Sequence, residues 1–151
     1  MTKILFLCHG NICRSPMAEF VMKDLVEKAG LKDSFSISSA ATSTEEIGND
    51  MHWGTKDKLS KAEISFTHRR ARQMTHMDYE KYDYLIGMDD ANIRNMKYIC
   101  KGDPDHKIFA LLDFTNRAGE IADPWYTGNF DETFDDILEG CQGLLRHIHN
   151  Y

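Results

Sequence analysis

Apolar positions recur along this chain with two different spacings. Short apolar runs predict buried strands at 3–8, 35–38, 82–88 and 107–112. Apolar residues three and four positions apart predict helices at 18–29, 54–62, 76–81, 90–100 and 134–148. Strands that alternate with helices are typical of a parallel sheet covered by helices on both sides. We therefore expect an α/β fold with an open, mainly four-stranded parallel sheet and helices on both faces.

The length and composition favour one globular domain over residues 1–151. The chain has 151 residues, of which 42% are hydrophobic, and it contains no evident linker or repeat. No apolar run approaches the length of a membrane span, and the N-terminus lacks the pattern of an export signal. We expect a cytoplasmic protein without a membrane span, either a monomer or a weak dimer.

Charge and cysteine usage narrow the range of partners and cofactors. The net charge of −6 disfavours nucleic acid, and the basic segment at 68–72 is more typical of a solvated surface than of a docking patch. Neither the histidines nor the cysteines show the spacing of metal ligands, so we expect no metal and no other cofactor. Reduced thiols are expected for the four cysteines, Cys8, Cys13, Cys100 and Cys141.

The segment at 8–16, directly after the first predicted strand, combines a nucleophile with features that bind anions. Gly10 and Asn11 tolerate the left-handed backbone conformation that turns successive N–H groups inward to form an anion-binding nest. Arg14 follows Cys8 by six positions, and its planar guanidinium can hold two oxygens of a phosphate group. This pattern predicts a phosphate-binding loop after the first strand.

The end of the same segment predicts the start of a helix. Ser15 is suited to the N-cap position and Pro16 to the first helical position, so that the positive end of the helix dipole faces the loop. Nest, dipole and Arg14 together should favour the thiolate form of Cys8 at neutral pH. The alternative, a buried core cysteine, explains neither the Gly-Asn turn nor the arginine.

A thiolate that attacks a phosphate monoester needs an acid to protonate a poor leaving group. Two Asp-Pro dipeptides supply candidates. Asp103 lies in a polar turn between a helix and a strand, where turn chemistry accounts for it. Asp123 is followed by Trp125 and Tyr126, which could hold a phenyl ring. The residues alone favour Asp123 but leave Asp103 open.

The segment from Cys8 to Glu19 resembles the N-terminal signature of the low-molecular-weight protein tyrosine phosphatases. The similarity covers nearly the whole chain and continues through Ser39–Ser43, Ile47–Asn49, Ala71–Gln73, Asp83–Ile86, Met88–Asp89 and Asp123–Tyr126. The resemblance implies hydrolysis of protein phosphotyrosine and small aryl phosphates through a cysteinyl-phosphate intermediate. Cys8 is then the nucleophile, Arg14 the phosphate clamp and Asp123 the general acid and base, with phosphotyrosine proteins as partners.

The resemblance also assigns supporting roles. The phosphate-binding loop would include His9, Gly10, Asn11, Ile12, Cys13 and Ser15. A network that holds Asn11 would include Ser39 and His68, with Asp89 near the loop, although Ser39 and His68 could merely satisfy local backbone groups. Trp53, Trp125 and Tyr126 would line the substrate cleft, although aromatic residues are often core residues instead.

Three further expectations concern residues of the loop. His9 stands where many relatives have an apolar residue and could contact residues that flank the phosphotyrosine. Relatives that act on phosphoarginine have threonine at the position of Ile12, so isoleucine favours an aryl ester. Cys13 could form a protective disulfide with oxidised Cys8, or could simply pack under the loop.

Two alternative functions are disfavoured. An arsenate reductase on the same fold would need further cysteines roughly in the middle of the chain, and residues 79–95 contain none. A non-catalytic phosphotyrosine-binding module would be expected to lack Cys8 or the acid, and both are present.

Overall fold

Four strands and six α-helices alternate along residues 1–149, the part of the chain that the structure, a computed structural model, describes. The strands are β1 (Thr2–Cys8), β2 (Phe35–Ala41), β3 (Tyr84–Gly87) and β4 (Ile108–Ala110). The helices are α1 (Arg14–Lys28), α2 (Trp53–Lys61), α3 (Met77–Lys81), α4 (Asp90–Cys100), α5 (Pro124–Thr127) and α6 (Phe130–His149). Two short 3-10 helices lie at Lys32–Ser34 and Leu111–Phe114.

The strands form one open parallel sheet in the order β2-β1-β3-β4. β1 is central, and its last residue, Cys8, pairs with Ala41 at the end of β2. On the other side of β1, Phe6 pairs with Ile86 of β3. This arrangement confirms the predicted fold class.

Alternating side chains of β1 contribute to two separate cores. Ile4 and Phe6 belong to a buried cluster that includes residues of α1 and α6, whereas Leu5 and Leu7 belong to a cluster with residues of α3 and α4. A strand buried on both faces is uniformly apolar, which explains the continuous apolar run at its centre. Among the described residues, no helix, not even the 20-residue α6, is long and apolar enough to cross a membrane.

Several element boundaries differ from the predictions, among them the end of β2, which extends to Ala41. β3 and β4 are shorter than predicted, and Leu111 and Leu112 are in a 3-10 helix that packs on α6. Burial of these leucines against a helix produces the same apolar pattern as a strand. The last helix begins at Phe130 because Asn129 accepts a hydrogen bond from the backbone N–H of Glu132, at 3.0 Å.

The ends of α1 show one wrong prediction and one that is confirmed. α1 begins at Arg14 with Cys13 at the N-cap position, so the assignment of Ser15 as N-cap and Pro16 as the first helical residue is wrong. The Ser15 hydroxyl instead contacts groups of the preceding loop. Gly30, with φ of 74°, follows the C-terminus of α1 as predicted, and its N–H donates to Glu27.

Candidate active site

Cys8 lies at the carboxyl end of β1 and faces the first turn of α1. Its Sγ is 3.0 Å from Oγ of Ser15 and accepts a hydrogen bond from the Ser15 backbone N–H at 3.4 Å. The side chain is buried but lines a cavity beyond the carboxyl ends of the strands. The sulfur therefore lies at the N-terminus of α1, where backbone N–H groups point toward it.

Asn11 adopts the predicted left-handed conformation, with φ of 58°, and is fully buried. Its Nδ2 donates to Oγ of Ser15 at 2.8 Å and to Oγ of Ser39 at 2.9 Å. Because the Ser15 oxygen accepts from Asn11, the Ser15 hydroxyl can donate either to the sulfur of Cys8 at 3.0 Å or to the backbone oxygen of Ala40 at 3.4 Å. The structure thus brings Ser39 to the loop, as the resemblance implied.

Gly10, the other residue expected to favour a left-handed conformation, does not have a positive φ. The absence of a side chain at this position serves another purpose. A Cβ on Gly10 would lie 3.2 Å from Cγ of Glu46, so glycine leaves room for the segment after β2 to pack on the loop.

Arg14 is nearly inaccessible to solvent and contacts two carboxylates. Its Nη1 donates to Oδ2 of Asp89 at 2.7 Å and to the backbone oxygen of Ile121 at 2.9 Å, while Nη2 is 3.4 Å from Oδ2 of Asp123. Burial opposes its charge, but Cys8 and the two carboxylates raise the pKa of Arg14 above its ordinary value. The guanidinium is therefore a permanent cation beside the nucleophile.

One donor of Arg14 has no protein partner. Among the described residues, only Nε of Arg14 and Oγ1 of Thr42 are buried side-chain polar atoms without a hydrogen bond. A buried N–H of a cation is costly to leave unsatisfied, and an anion held in the loop would supply an acceptor.

The two carboxylates reach Arg14 from the ends of different elements. Asp89 follows β3 and caps α4, with Oδ1 accepting from the N–H of Asn92 at 2.8 Å while Oδ2 faces Arg14. Asp123 caps α5, with Oδ1 accepting from the N–H of Trp125 at 3.0 Å. In each carboxylate, one oxygen is held by a hydrogen bond at a helix N-terminus, and the other oxygen faces Arg14.

The cavity above the loop measures about 110 Å³. The phosphate-binding loop contributes Cys8, His9, Gly10, Ile12 and Cys13. The opposite walls are formed by Glu45, Glu46, Asp123, Trp125 and Tyr126. Nε2 of His9 lies 2.8 Å from Oε2 of Glu45, which ties the loop to the segment after β2. Tyr126 is 82% exposed and stands at the rim.

Trp53 does not line this cavity, contrary to the expectation. It is 73% exposed and borders a separate groove with Phe130. The ring of His52 lies between the two tryptophans, with its centroid 5.6 Å from Trp53 and 5.6 Å from Trp125. His52, and not Trp53, is therefore the residue seen to pack against an aromatic side chain of the cavity, Trp125.

His68 is not part of the network around Asn11, so its assignment there is wrong. It is exposed, and its Nδ1 lies 2.9 Å from Oδ2 of Asp50. The neighbouring Arg69 takes the expected place, because its Nη2 donates to the backbone oxygen of Asn11 at 2.6 Å and also to Oδ1 of Asn11. The sequence offers no signal that distinguishes Arg69 from Arg70, since both belong to the basic segment interpreted as solvated surface.

Asp103 and Cys13 have distinct environments. Asp103 accepts hydrogen bonds from the Tyr79 hydroxyl at 2.6 Å and from the backbone N–H groups of Lys107 and Ile108 at the start of β4. It therefore lies at the amino end of β4, whereas Cys8 lies at the carboxyl end of the parallel β1.

Cys13 is a buried free thiol, and burial, followed by the charges of Cys8 and Asp123, raises its pKa to about 12.

Known proteins share both the sequence and the fold. Residues 3–151 match the family described as "Low molecular weight phosphotyrosine protein phosphatase". The low molecular weight protein-tyrosine-phosphatase YfkJ of Bacillus subtilis is 40% identical over 150 residues, which are 98% of this chain and 96% of YfkJ. The YfkJ crystal structure matches with a TM-score of 0.96 and covers 99% of this chain and 96% of that chain.

Two other solved structures are also similar. The low molecular weight protein tyrosine phosphatase of Streptococcus pyogenes is 42% identical with a TM-score of 0.89, over 98% of this chain and 93% of that one. The Drosophila arginine phosphatase is 28% identical with a TM-score of 0.90, over 98% of each chain. From the full-length family match and these relatives, the chain belongs to the low molecular weight phosphotyrosine protein phosphatase family and is a low molecular weight protein-tyrosine phosphatase.

Proposed function

We propose that this phosphatase hydrolyses protein phosphotyrosine and small aryl phosphates through a cysteinyl-phosphate intermediate. Cys8 is the nucleophile, Arg14 the phosphate clamp and Asp123 the general acid and base. The observation that carries the proposal is that Cys8 and Asp123, from opposite ends of the sequence, line one cavity and share Arg14 as a neighbour.

In the first step, the Cys8 thiolate attacks phosphorus and an S–P bond forms as the bond to the leaving oxygen breaks. The electron pair of the broken bond goes to the leaving oxygen, which takes a proton from Asp123. Arg14 and the loop N–H groups bind the remaining phosphoryl oxygens. The unsatisfied Nε of Arg14 supports this role, because it is a buried donor on a guanidinium whose pKa the charge of Cys8 helps to raise.

In the second step, the Asp123 carboxylate accepts a proton from water as the water oxygen bonds to phosphorus. The S–P bond breaks and its electron pair returns to sulfur. Ser15 donates a hydrogen bond to the departing thiolate, which the 3.0 Å separation of Oγ and Sγ supports. Positioning and electrostatic stabilisation supply most of the acceleration in such phosphoryl transfers, so the arginine and the loop can fill the role that a metal has elsewhere.

The cavity walls favour an aromatic substrate. Trp125 and Tyr126 stand opposite the loop and offer flat apolar surfaces to a phenyl ring. Ile12 lines the same cavity and presents no hydroxyl group to a guanidinium-type leaving group. These features support phosphotyrosine over phosphoarginine as the substrate, although one similar structure is that of an arginine phosphatase.

Substitutions at the three residues test the mechanism. Cys8→Ser should abolish turnover but still bind vanadate. Arg14→Lys should lose most activity, because a lysine cannot bind two phosphate oxygens in the bidentate geometry of a guanidinium. Asp123→Asn should slow phosphotyrosine hydrolysis by about 10²–10⁴-fold and slow an activated aryl phosphate much less, because only the poor leaving group needs the proton. Turnover on phosphotyrosine, phosphoserine, phosphoarginine and arsenate would define the substrate class.

Asp103→Asn is the matched control for the acid, since it replaces the other Asp-Pro carboxylate at the far edge of the sheet. It should leave the ratio of the two rates unchanged. The mechanism would be refuted by full activity in Cys8→Ser or by loss of activity with a chelator. The choice of acid would be refuted if Asp103→Asn rather than Asp123→Asn affected the poor leaving group selectively.

A further inference from the structure

We propose that Arg69 is a positioning residue of the phosphate-binding loop, which orients the amide of Asn11 so that Ser15 donates its hydrogen bond to the sulfur of Cys8. The inference rests on the proposed role of Cys8 as nucleophile. It concerns an arginine that the sequence pattern assigned to the solvated surface.

The amide of Asn11 has a defined orientation because donors surround its oxygen. Nη2 of Arg69 donates to Oδ1 and to the backbone oxygen of Asn11, and the backbone N–H of Arg72 lies 3.4 Å from the same Oδ1. If the amide were turned over, its NH₂ group would face the guanidinium and the Arg72 N–H. Donors would then face donors in a fully buried site, which is costly.

The orientation of this amide determines the direction of the next hydrogen bond. With Oδ1 toward Arg69, Nδ2 of Asn11 points to Ser15 and Ser39. The Ser15 oxygen then accepts from Asn11, so the Ser15 hydroxyl hydrogen can go only to Sγ of Cys8, 3.0 Å away, or to the backbone oxygen of Ala40 at 3.4 Å, and the thiolate is the nearer acceptor. With the amide reversed, Asn11 would accept that hydrogen and the sulfur would lose a donor.

Arg69 is itself held in place on the inner side of the loop. Its Nη1 donates to the backbone oxygen of Asn49 at 3.4 Å, and its backbone N–H donates to Oδ1 of Asp50 at 3.3 Å. Burial lowers the pKa of Arg69, while the charges of Glu19, Asp50 and Cys8 act in the opposite direction. A guanidinium stays protonated under these conditions, so Arg69 also adds a fixed positive charge near the sulfur.

Several other charged or titratable groups share the cavity with Cys8, and the variants must leave them unchanged. The charged or titratable groups that line this cavity with Cys8 are His9, Cys13, Glu45, Glu46 and Asp123, and the charge of Cys8 also acts on Arg14. None of these is altered by a substitution at position 69, so a change in the behaviour of Cys8 would report on Arg69 and the amide that it orients.

Two neutral variants, Arg69→Met and Arg69→Gln, test the proposal in the intact chain. The control is Arg70→Met, which removes the same charge from an exposed neighbouring position. For each protein, we would measure kcat and KM with para-nitrophenyl phosphate. We would also measure the rate of Cys8 alkylation by iodoacetamide from acidic to mildly alkaline pH. The Cys8→Ser variant gives the background from other thiols, and thermal unfolding verifies the fold.

We expect kcat of both Arg69 variants to fall by about tenfold or more, since a hydrogen bond to a charged group is lost. Their alkylation profiles should move to higher pH, while Arg70→Met matches the parent protein in both measurements. A folded Arg69→Gln with the parent alkylation profile would overturn the proposal, even if its activity were reduced. Failure of the proposed function would instead be seen as turnover in Cys8→Ser, so the two outcomes are distinguishable.

Discussion

Cys13 is expected to protect Cys8 from irreversible oxidation, and its environment defines how fast it can do so. Peroxide oxidises the Cys8 thiolate to a sulfenic acid and is itself reduced to water. The Cys13 thiolate then attacks the sulfenic sulfur, the S–S bond forms as the S–O bond breaks, and the hydroxide that leaves takes up the proton that the Cys13 thiol had released and becomes water. Dithiothreitol would reduce the disulfide and restore both thiols.

The raised pKa of Cys13 determines what fraction of this thiol is present as the reactive thiolate. With a pKa of about 12, roughly one Cys13 thiol in 10⁵ is ionised at pH 7, and this fraction rises about tenfold per pH unit. Direct attack of peroxide on Cys13 should therefore be negligible. After burial, the negative charge of Cys8 is the next cause of the raised pKa, so formation of the neutral sulfenic acid should make Cys13 easier to ionise.

The assay compares the parent protein with Cys13→Ser, and with Cys100→Ser as a control. Cys100 is a half-buried thiol in α4, with its pKa raised mainly by burial to about 11. Each protein is inactivated with peroxide at several pH values, treated with dithiothreitol and assayed, and phosphate should protect by occupying the site. Cys13→Ser should largely retain turnover but recover poorly, whereas Cys100→Ser should recover like the parent.

Two results would refute this reasoning. Recovery of Cys13→Ser equal to that of the parent would exclude a protective role for Cys13. A rate of disulfide formation, measured by mass spectrometry, that does not increase with pH would contradict the argument from the raised pKa.

Two predictions concern stability. Burial opposes ionisation of Asp103, but hydrogen bonds from Tyr79 and two backbone N–H groups hold the pKa of its carboxyl below the ordinary value. Its contribution is therefore present above about pH 4 and lost as pH falls through the folded-state pKa, so urea unfolding should show Asp103→Asn destabilised at neutral pH with a smaller difference in acid. Gly143→Ala would place a Cβ 2.1 Å from the backbone oxygen of Phe114 and should lower the free energy of unfolding by about 1–3 kcal/mol or more; an unchanged urea midpoint would contradict this.

The fold was predictable because each strand and helix carries its own pattern of burial. β1 is apolar along its centre since helices cover both of its faces, and α6 has an apolar stripe that packs against α1. The end of β4 was not predictable, because Leu111 and Leu112 are buried against α6 rather than within the sheet. Burial alone does not reveal which kind of element provides it.

The residues of the loop were predictable for a different reason. The nucleophile, the left-handed Asn11 and Arg14 are close in sequence, so local backbone chemistry could indicate their arrangement. Apart from Asp123, which the residues alone already favoured over Asp103, the residues that join the site from other segments had to be inferred from resemblance. That inference was wrong for His68, where the adjacent Arg69 makes the contact, and for Trp53, which borders a separate groove.

Sheet order explains why the site needs these distant residues. β1 lies between β2 and β3, so the loop after Cys8 has a neighbouring strand end on each side. Ser39 reaches the loop from β2, and Asp89 reaches Arg14 from the end of β3. In an open parallel sheet, ligands bind beyond the carboxyl ends of the strands. The nucleophile therefore lies where one strand holds the side chain of Asn11 and the end of the other orients Arg14, while Arg69 contacts Asn11 from a third segment.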